Sequence, residues 1–267
     1  MENKKIVWIA SYPKSGNTWV RFQLLNLLQG KQTDTANLEK IIPDIHKSSH
    51  IRDMQFEQNM LIKSHLMLTN DMPLVKQTLA FIYIVRHPMD VMFSNLNYSH
   101  LKNTNVFNDE EKKRFDSNYI NNFIQAKGDS RWIEHQMGSW IDNVHSWFSA
   151  RDKFPNAILR YEDMLTAPAK ELTKINTLLG INKSDEEITA AVENSSFKSM
   201  KAIENKEIEQ KKSGFFYSEK NDTGTDKSQR FMNQGKKNVG KEILSQSQLN
   251  AFSEVFGPII EQLGYES

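Results

Sequence analysis

Residues 10–22 read Ala10-Ser11-Tyr12-Pro13-Lys14-Ser15-Gly16-Asn17-Thr18-Trp19-Val20-Arg21-Phe22. They follow an apolar run, Ile6–Ile9, of strand type. They lead into a stretch whose apolar residues, Trp19, Val20, Leu24, Leu27 and Leu28, recur near a period of 3.6. A strand, a tight turn and a helix start together make an anion cradle. The first N–H groups of a helix lack intrahelical partners and sit at the positive end of its dipole. Lys14 adds a full charge, Ser15 and Thr18 add hydroxyl donors, and Gly16 lets the backbone come close to an anion. This is not a Walker A loop, which needs G-x-x-x-x-G-K-[ST]. Here the lysine precedes the glycine, and no earlier glycine is in register.

Outward from that loop, the chain alternates strand-like and helix-like segments. Strands are expected at Lys5–Ala10, Met60–Lys63, Ala80–Val85 and Ala157–Arg160. Helices are expected at Thr18–Leu28, Pro88–Tyr98, Trp132–Ala150 and Pro168–Leu179. Such alternation predicts an α/β fold: one domain over 1–267 with a central parallel sheet flanked by helices. Ligands of these sheets bind beyond the carboxyl ends of the strands, where the motifs of this chain fall. Two segments stand apart. Residues 103–130 are polar and are read as helical cover or a lid, and 206–229 are read as a mobile loop. Within the latter, Gly214-Phe215-Phe216-Tyr217 either docks on the surface or covers a substrate pocket.

Composition narrows the function. The 267 residues carry a net charge of +1, which argues against a general nucleic-acid binder. There is no cysteine, so disulfides, thiolate catalysis and cysteine-held metals are excluded, and a cytoplasmic location is expected. The N-terminus runs into an apolar stretch too short for a signal-peptide core, and Leu79–Val85 stops at Arg86, far short of a membrane span. Acidic residues form no cluster with metal-ligand spacing, so no metal is expected.

Three further segments carry chemistry. In 83–98, Tyr-Ile-Val-Arg-His-Pro-Met-Asp-Val-Met-Phe-Ser-Asn-Leu-Asn-Tyr, Arg86 emerges from a strand tip and Pro88 suits a first helical turn. Ser94 follows two turns into that helix. An arginine fork with a nearby hydroxyl is matched to a phosphate. In 160–164, Arg-Tyr-Glu-Asp-Met, an aromatic closes a strand, a place where core residues are also common. In 60–66, Met-Leu-Ile-Lys-Ser-His-Leu, Lys63 ends a strand and His65 follows it. Histidine has an unperturbed pKa close to working pH, as a general base requires.

Pro-Lys-Ser-Gly-x-Thr-Trp, Arg-x-Pro-x-Asp with its later serine, and Lys-Ser-His in this order resemble the soluble sulfotransferases. These use 3′-phosphoadenosine 5′-phosphosulfate (PAPS) and release adenosine 3′,5′-bisphosphate (PAP). The match runs over nearly the whole chain. The resemblance implies that Lys14, Ser15, Gly16, Asn17 and Thr18 bind the 5′-phosphosulfate end. It places Arg86 and Ser94 at the 3′-phosphate, and Tyr161 and Ser195, where threonine is usual, near the adenine. Trp19 either stacks on the base or packs beneath the loop. His65 is implied as the base for the acceptor proton, with Lys14 on the bridging oxygen and Lys63 on the phosphosulfate. The family's Arg-Lys-Gly-x-x-Gly-x-Trp-Lys-Asn is degraded here: if Gly235 is its first glycine, Asn233-Gln234 replaces Arg-Lys and Gly240 replaces Trp, leaving Gly235 and Lys236 as candidate contacts. The family's dimer segment, Lys-x-x-x-Thr-Val-x-x-x-Glu, survives at best as Lys241, Ser245, Gln246 and Asn250, so a monomer is expected. A compact, Lys/Asn-rich, cysteine-free chain looks more bacterial than animal. It suggests a small-molecule acceptor, such as a metabolite or natural product, with no nucleic acid and no membrane as partner. Two other readings are a P-loop nucleotide kinase or NTPase, and a nucleotide-binding module that has lost its chemistry.

Overall fold

The computed structural model describes residues 5–30, 35–47, 51, 58–102, 107–211, 214–217 and 242–265. Four strands, β1 (Ile6–Ser11), β2 (Met60–Ser64), β3 (Thr78–Val85) and β4 (Asn156–Arg160), form one parallel sheet in the order β2-β1-β3-β4. The alternation expected from the sequence is thus an α/β fold with a parallel sheet. All four runs expected as strands are strands, within two residues at each end.

Side chains of successive strand residues point to opposite faces, and here both faces are dry. Ile6, Trp8 and Ala10 of β1 join Phe81, Tyr83 and Val85 of β3 in one core, while Val7 and Ile9 join Ala80, Ile82 and Ile84 in the other. The second face is covered by α1 (Asn17–Gln29), α8 (Pro168–Leu179) and α9 (Asp185–Asn194), through Val20, Leu24, Leu172, Ile175 and Ile188. The first is covered by α3 (Pro88–Lys102), α4 (Asp109–Gln125), α6 (Trp140–Phe148) and α11 (Gln246–Gln262). Trp147 and Trp140 are fully buried there, Trp147 stacked on Tyr83 and Trp140 edge-on to Phe256.

Short helices complete the order: α2 (Leu38–Ile41), α5 (Ser130–Glu134), α7 (Tyr161–Thr166) and α10 (Phe197–Glu209). One expectation is corrected. The helix expected over Trp132–Ala150 is two, α5 and α6, separated by Gln136 and Gly138 with positive φ. A Cβ on Gly138 would come within 2.4 Å of Met67 Sδ, and Ser139 caps α6 by accepting from Asp142 N. The break lets Asn143 enter the core. Its Nδ2 donates to His65 O and Met137 O, and its Oδ1 accepts from Tyr83 OH.

The described part of the segment 103–130 is mostly α4. It is closed by a capping box at Asn108 and Glu111 and anchored through Ile120, Phe123 and Ile124. Phe215 and Phe216 pack on Phe22 of α1, and Phe216 N donates to Glu207. The cluster is thus docked on α1. Of the segment 206–229 read as a mobile loop, residues 206–209 instead end α10, and residues 212–213 and 218–229 lie outside the described residues.

Candidate active site at the strand ends

The parallel register ends the strands at one level: Ala10 lies beside Ser64, Ser11 beside Ile84, and Val85 beside Arg160. One residue further on stand Tyr12, His65, Arg86 and Tyr161. From β1 the chain crosses to β2 on one side, and from β3 it crosses to β4 on the other. The crevice between β1 and β3 is therefore the switch point where such sheets take ligands.

The loop 12–16 fills that crevice. Lys14 has φ of 71° and Gly16 a φ of 101°. Two left-handed residues so close together turn the backbone sharply into α1, and Gly16 is its N-cap without a side-chain hydrogen bond. The helix starts open, with its first N–H groups directed at the crevice. Gly16 is required twice over: besides its φ, an added Cβ would lie 2.6 Å from the Tyr161 ring. Asn17 anchors the turn from below, its Nδ2 donating to Ile9 O and Ser11 Oγ.

Around the loop, Arg86 donates from Nη1 to Lys14 O at 3.2 Å and stacks 4.3 Å over the Tyr161 ring. Tyr161 meets Trp19 edge-on at 5.9 Å, and Trp19 Nε1 donates to Ser195 O at 2.8 Å. The structure thus joins Lys14, Ser15, Gly16, Asn17, Trp19, Arg86, Tyr161 and the Ser195 backbone in one constellation. The Ser195 hydroxyl is turned inward and donates to Ala191 O. Thr18 and Ser94 are half-buried, on the first turn of α1 and two turns into α3. Gly235 and Lys236 lie outside the described residues.

Two donors in this constellation have no partner among the described residues: the buried Ser15 Oγ and Arg86 Nε. Leaving buried polar groups unmet is costly, so an anion that accepts from them suits the place. Positive charge is concentrated here. Burial, helped by the charges of Arg86 and Arg131, brings Lys14 down to about 8. Its Nζ lies 4.8 Å from the centre of the Tyr98 ring.

On the β2 side, His65 Nδ1 is 2.7 Å from Ser11 O. A carbonyl only accepts, so Nδ1 carries the proton and Nε2 carries the lone pair. Burial, then the charge of Lys63 and that of His46 whenever it is protonated, hold His65 well below its ordinary value. Lys63 is buried and paired to Asp44 Oδ2 at 2.8 Å. Burial lowers Lys63 to about 8; burial alone would raise Asp44, but the lysine charge and hydrogen bond take it down to about 2. Lys63 therefore faces a carboxylate, a partner the sequence did not suggest.

Other groups at the site were not legible either. Glu162 accepts from His87 N and from Tyr265 OH, tying the β3 and β4 ends to the last described residue. Tyr12 OH accepts from Asp129 N, and Asp129 holds Arg131 and Tyr119. Neither Glu162 nor Asp129 shows a periodic signal, and the arginine–aspartate pair sits two residues apart where spacing carries no message. Among the described residues, no group of three or more His, Asp or Glu side chains is arranged to hold a metal ion, and no helix is long and apolar enough to cross a membrane.

A glycine-turned loop at the switch point of a parallel sheet, faced by an arginine and two aromatic rings, defines an α/β protein with an anion-type cradle at its strand ends. Residues 4–264 match the model of the sulfotransferase domain, and the chain belongs to that family. Sulfotransferase 1A1 of Rattus norvegicus is 28% identical over 204 residues, covering 72% of this chain and 66% of that protein. The amine sulfotransferase of Oryctolagus cuniculus is 29% identical over 204 residues, covering 74% and 63%. The chain spans just under two thirds of the length of these curated relatives. Mouse sulfotransferase SULT7A1, solved with PAP, superposes with a TM-score of 0.64 at 24% identity, covering 97% of this chain and 85% of that one. A retinol dehydratase solved with retinol and PAP gives 0.65 at 16%, covering 98% and 82%. Both share the fold.

Two outcomes follow from the loop. Gly16→Ala meets both the left-handed φ and the Tyr161 ring, so PAP affinity measured by calorimetry should fall by about tenfold or more, at a cost of roughly 1–3 kcal/mol. Wild-type affinity in that variant would mean the turn relaxes without penalty. Lys14 is charged below about 8 and neutral above it. Affinity for PAP should hold from neutral pH to about 8 and weaken beyond; a flat profile to pH 9.5 would show that Lys14 stays protonated throughout.

Proposed function

We propose that this protein transfers a sulfuryl group from PAPS to a hydroxyl or amine of a small-molecule acceptor, with His65 as general base. The observation that carries this reading is His65 itself. It is fixed as the Nδ1–H tautomer by Ser11 O, one strand away from the loop where the buried Ser15 Oγ and, beside it, Arg86 Nε have no partner among the described residues. Family membership and the PAP complexes of structural relatives support the same donor.

The residues fit such a nucleotide. The open start of α1, with Ser15, Gly16, Asn17 and Thr18, would hold the 5′-phosphosulfate, and Arg86 with Ser94 the 3′-phosphate. Trp19, Tyr161 and Ser195 would border the adenine, with Gly235 and Lys236 as further contacts. PAPS supplies the sulfuryl group and departs as PAP. Lys14 would face the bridging oxygen, where negative charge grows in the transition state. Lys63, steadied by Asp44, adds positive charge on the β2 side. His65 Nε2 takes the acceptor proton, and a depressed pKa keeps that lone pair available at neutral pH.

For the acceptor we propose the cavity of about 390 Å³ between α3, α4 and the start of α5, walled by Phe115, Tyr119, Phe123 and Arg131. That volume suits a small organic molecule. Tyr98 connects it to the transfer site, since Lys14 Nζ and the Arg131 guanidinium lie 4.8 Å and 5.9 Å from the same ring. Androsterone and retinol occupy retinol dehydratase in solved complexes, so small acceptors are known among structural relatives. A cytoplasmic enzyme is proposed from the cysteine-free chain.

An acceptor screen with labelled PAPS on four proteins tests the reading. Wild type should transfer label. His65→Ala should lose transfer by about 100-fold or more while binding PAP as before. Arg86→Ala should bind PAP roughly tenfold or more worse, with little change for the nucleotide lacking the 3′-phosphate. Arg131→Ala should raise acceptor KM without changing PAP affinity. Transfer by His65→Ala within a fewfold of wild type would remove the base assignment.

A monomer is also proposed. Ser245 here caps α11, and Gln246 bonds within its own helix to Asn250. Sedimentation equilibrium at micromolar concentration should give the mass of one chain; a stable two-chain mass would refute it.

A further inference from the structure

The segment Pro43–His46 runs beside β2 as a short parallel strap. Lys63 N donates to Pro43 O at 2.8 Å, and Ile45 N donates to Lys63 O at 3.1 Å. A regular parallel ladder would next offer the N–H of His65 to the carbonyl of Ile45. Instead His65 N donates to His46 Nε2 at 2.9 Å, and the two imidazoles lie nearly parallel with centroids 5.7 Å apart. A side chain has replaced a backbone acceptor at the residue that follows the strand.

The strap is itself well held. Its N-terminal end is fixed by Arg21, whose Nη2 donates to Ile42 O, and His46 N donates to Asp44 Oδ1. The same strap thus steadies both polar residues of the β2 end. Asp44 pairs with Lys63, and His46 takes the backbone of His65. The His65 carbonyl is held from the other side by Asn143 Nδ2, so both peptide groups flanking this residue are anchored.

We infer that His46 is a positioning residue for sulfuryl transfer, its neutral imidazole holding the backbone of His65 so that the catalytic nitrogen is aimed at the acceptor. This rests on the reading of His65 as base. His46 does not touch the reacting atoms in this role; it acts through His65. An imidazole accepts a hydrogen bond only when neutral, because protonation turns both ring nitrogens into donors. Protonated His46 cannot accept the His65 N–H, and the base loses its aim. The charged and titratable groups around His46 among the described residues are Asp44 and Lys47 on the strap, Lys63 and His65 from β2, and Glu39 of α2, which lies 3.4 Å from Lys47. Lys47 and Lys63 oppose a charge on His46, while Asp44 and Glu39 favour one.

Three variants separate aim from packing. His46→Phe keeps a flat ring but has no acceptor; His46→Gln offers an amide oxygen that accepts at every pH; His46→Ala has neither. Each is assayed with PAPS for kcat, for both KM values and for kcat from pH 5 to 9, with PAP affinity measured separately. His46→Phe and His46→Ala should lose kcat by roughly three- to tenfold, the weight of one neutral hydrogen bond, with PAP affinity within about twofold of wild type. His46→Gln should keep most of wild-type kcat, with an acid limb set by His65 alone. Wild-type kcat and pH profile in His46→Phe would overturn the proposal, as would a His46→Gln as impaired as His46→Phe. A parallel loss of PAP affinity in all three would show a structural role instead and overturn it too. Failure of the base assignment is distinct: it appears as retained turnover in His65→Ala, whatever the His46 variants do.

Discussion

Parallel pairing in register is the constraint on which the rest depends. Hydrogen bonding holds Ala10 beside Ser64, Ser11 beside Ile84 and Val85 beside Arg160, so four segments far apart in the chain finish at one level. The residues just past those ends are then neighbours whatever their separation in sequence. A one-residue slip of any strand would send its buried side chains to the opposite face, and both faces are packed with apolar residues. The same burial that stabilises the sheet therefore also sets the geometry of the site.

At the centre of that level the chain turns through a contact between a glycine and a ring. Gly16 lies so close to Tyr161 that no side chain fits, and Tyr161 in turn supports Arg86 on its face and Trp19 at its edge. One backbone turn thus fixes an anion-binding helix start, a cation and two aromatic surfaces together. Lys14 is lowered first by burial and then by the neighbouring charges of Arg86 and Arg131, so positive charge is crowded beside the loop. A site arranged in this way is least stable empty, and an anionic ligand relieves the repulsion as well as filling the unmet donors.

On the other side of the sheet centre the electrostatics are balanced rather than one-signed. Lys63 has Asp44, and His65 is kept neutral by burial and by the cationic side chains around it. The two halves thus differ in electrostatics, one crowded with positive charge and one paired, and β1 separates them by the width of one strand. Burial acts on both, making the lysines easier to deprotonate and the histidine harder to protonate.

The local patterns of the chain were sufficient for the sheet and the loop. Apolar runs at Ile6–Ile9 and Ala80–Val85 can only be strands buried on both faces, and Lys14-Ser15-Gly16 followed by a helical period can only be a turn into a helix start. Each of these signals lies within a few consecutive residues, so it is written in the sequence. The break between α5 and α6 was not so written, because it depends on Met67 crowding Gly138 from a distant loop. Asp44 and His46 were equally silent: neither follows a period, and their meaning comes from lying beside Lys63 and His65 across the edge of β2. The sequence by itself determined which segments are strands, which turn opens the first helix and which histidine follows a strand. Only the tertiary structure decided what each charged group faces, because hydrogen bonds and ion pairs are made between side chains that meet in space, and spacing along the chain carries no record of those meetings.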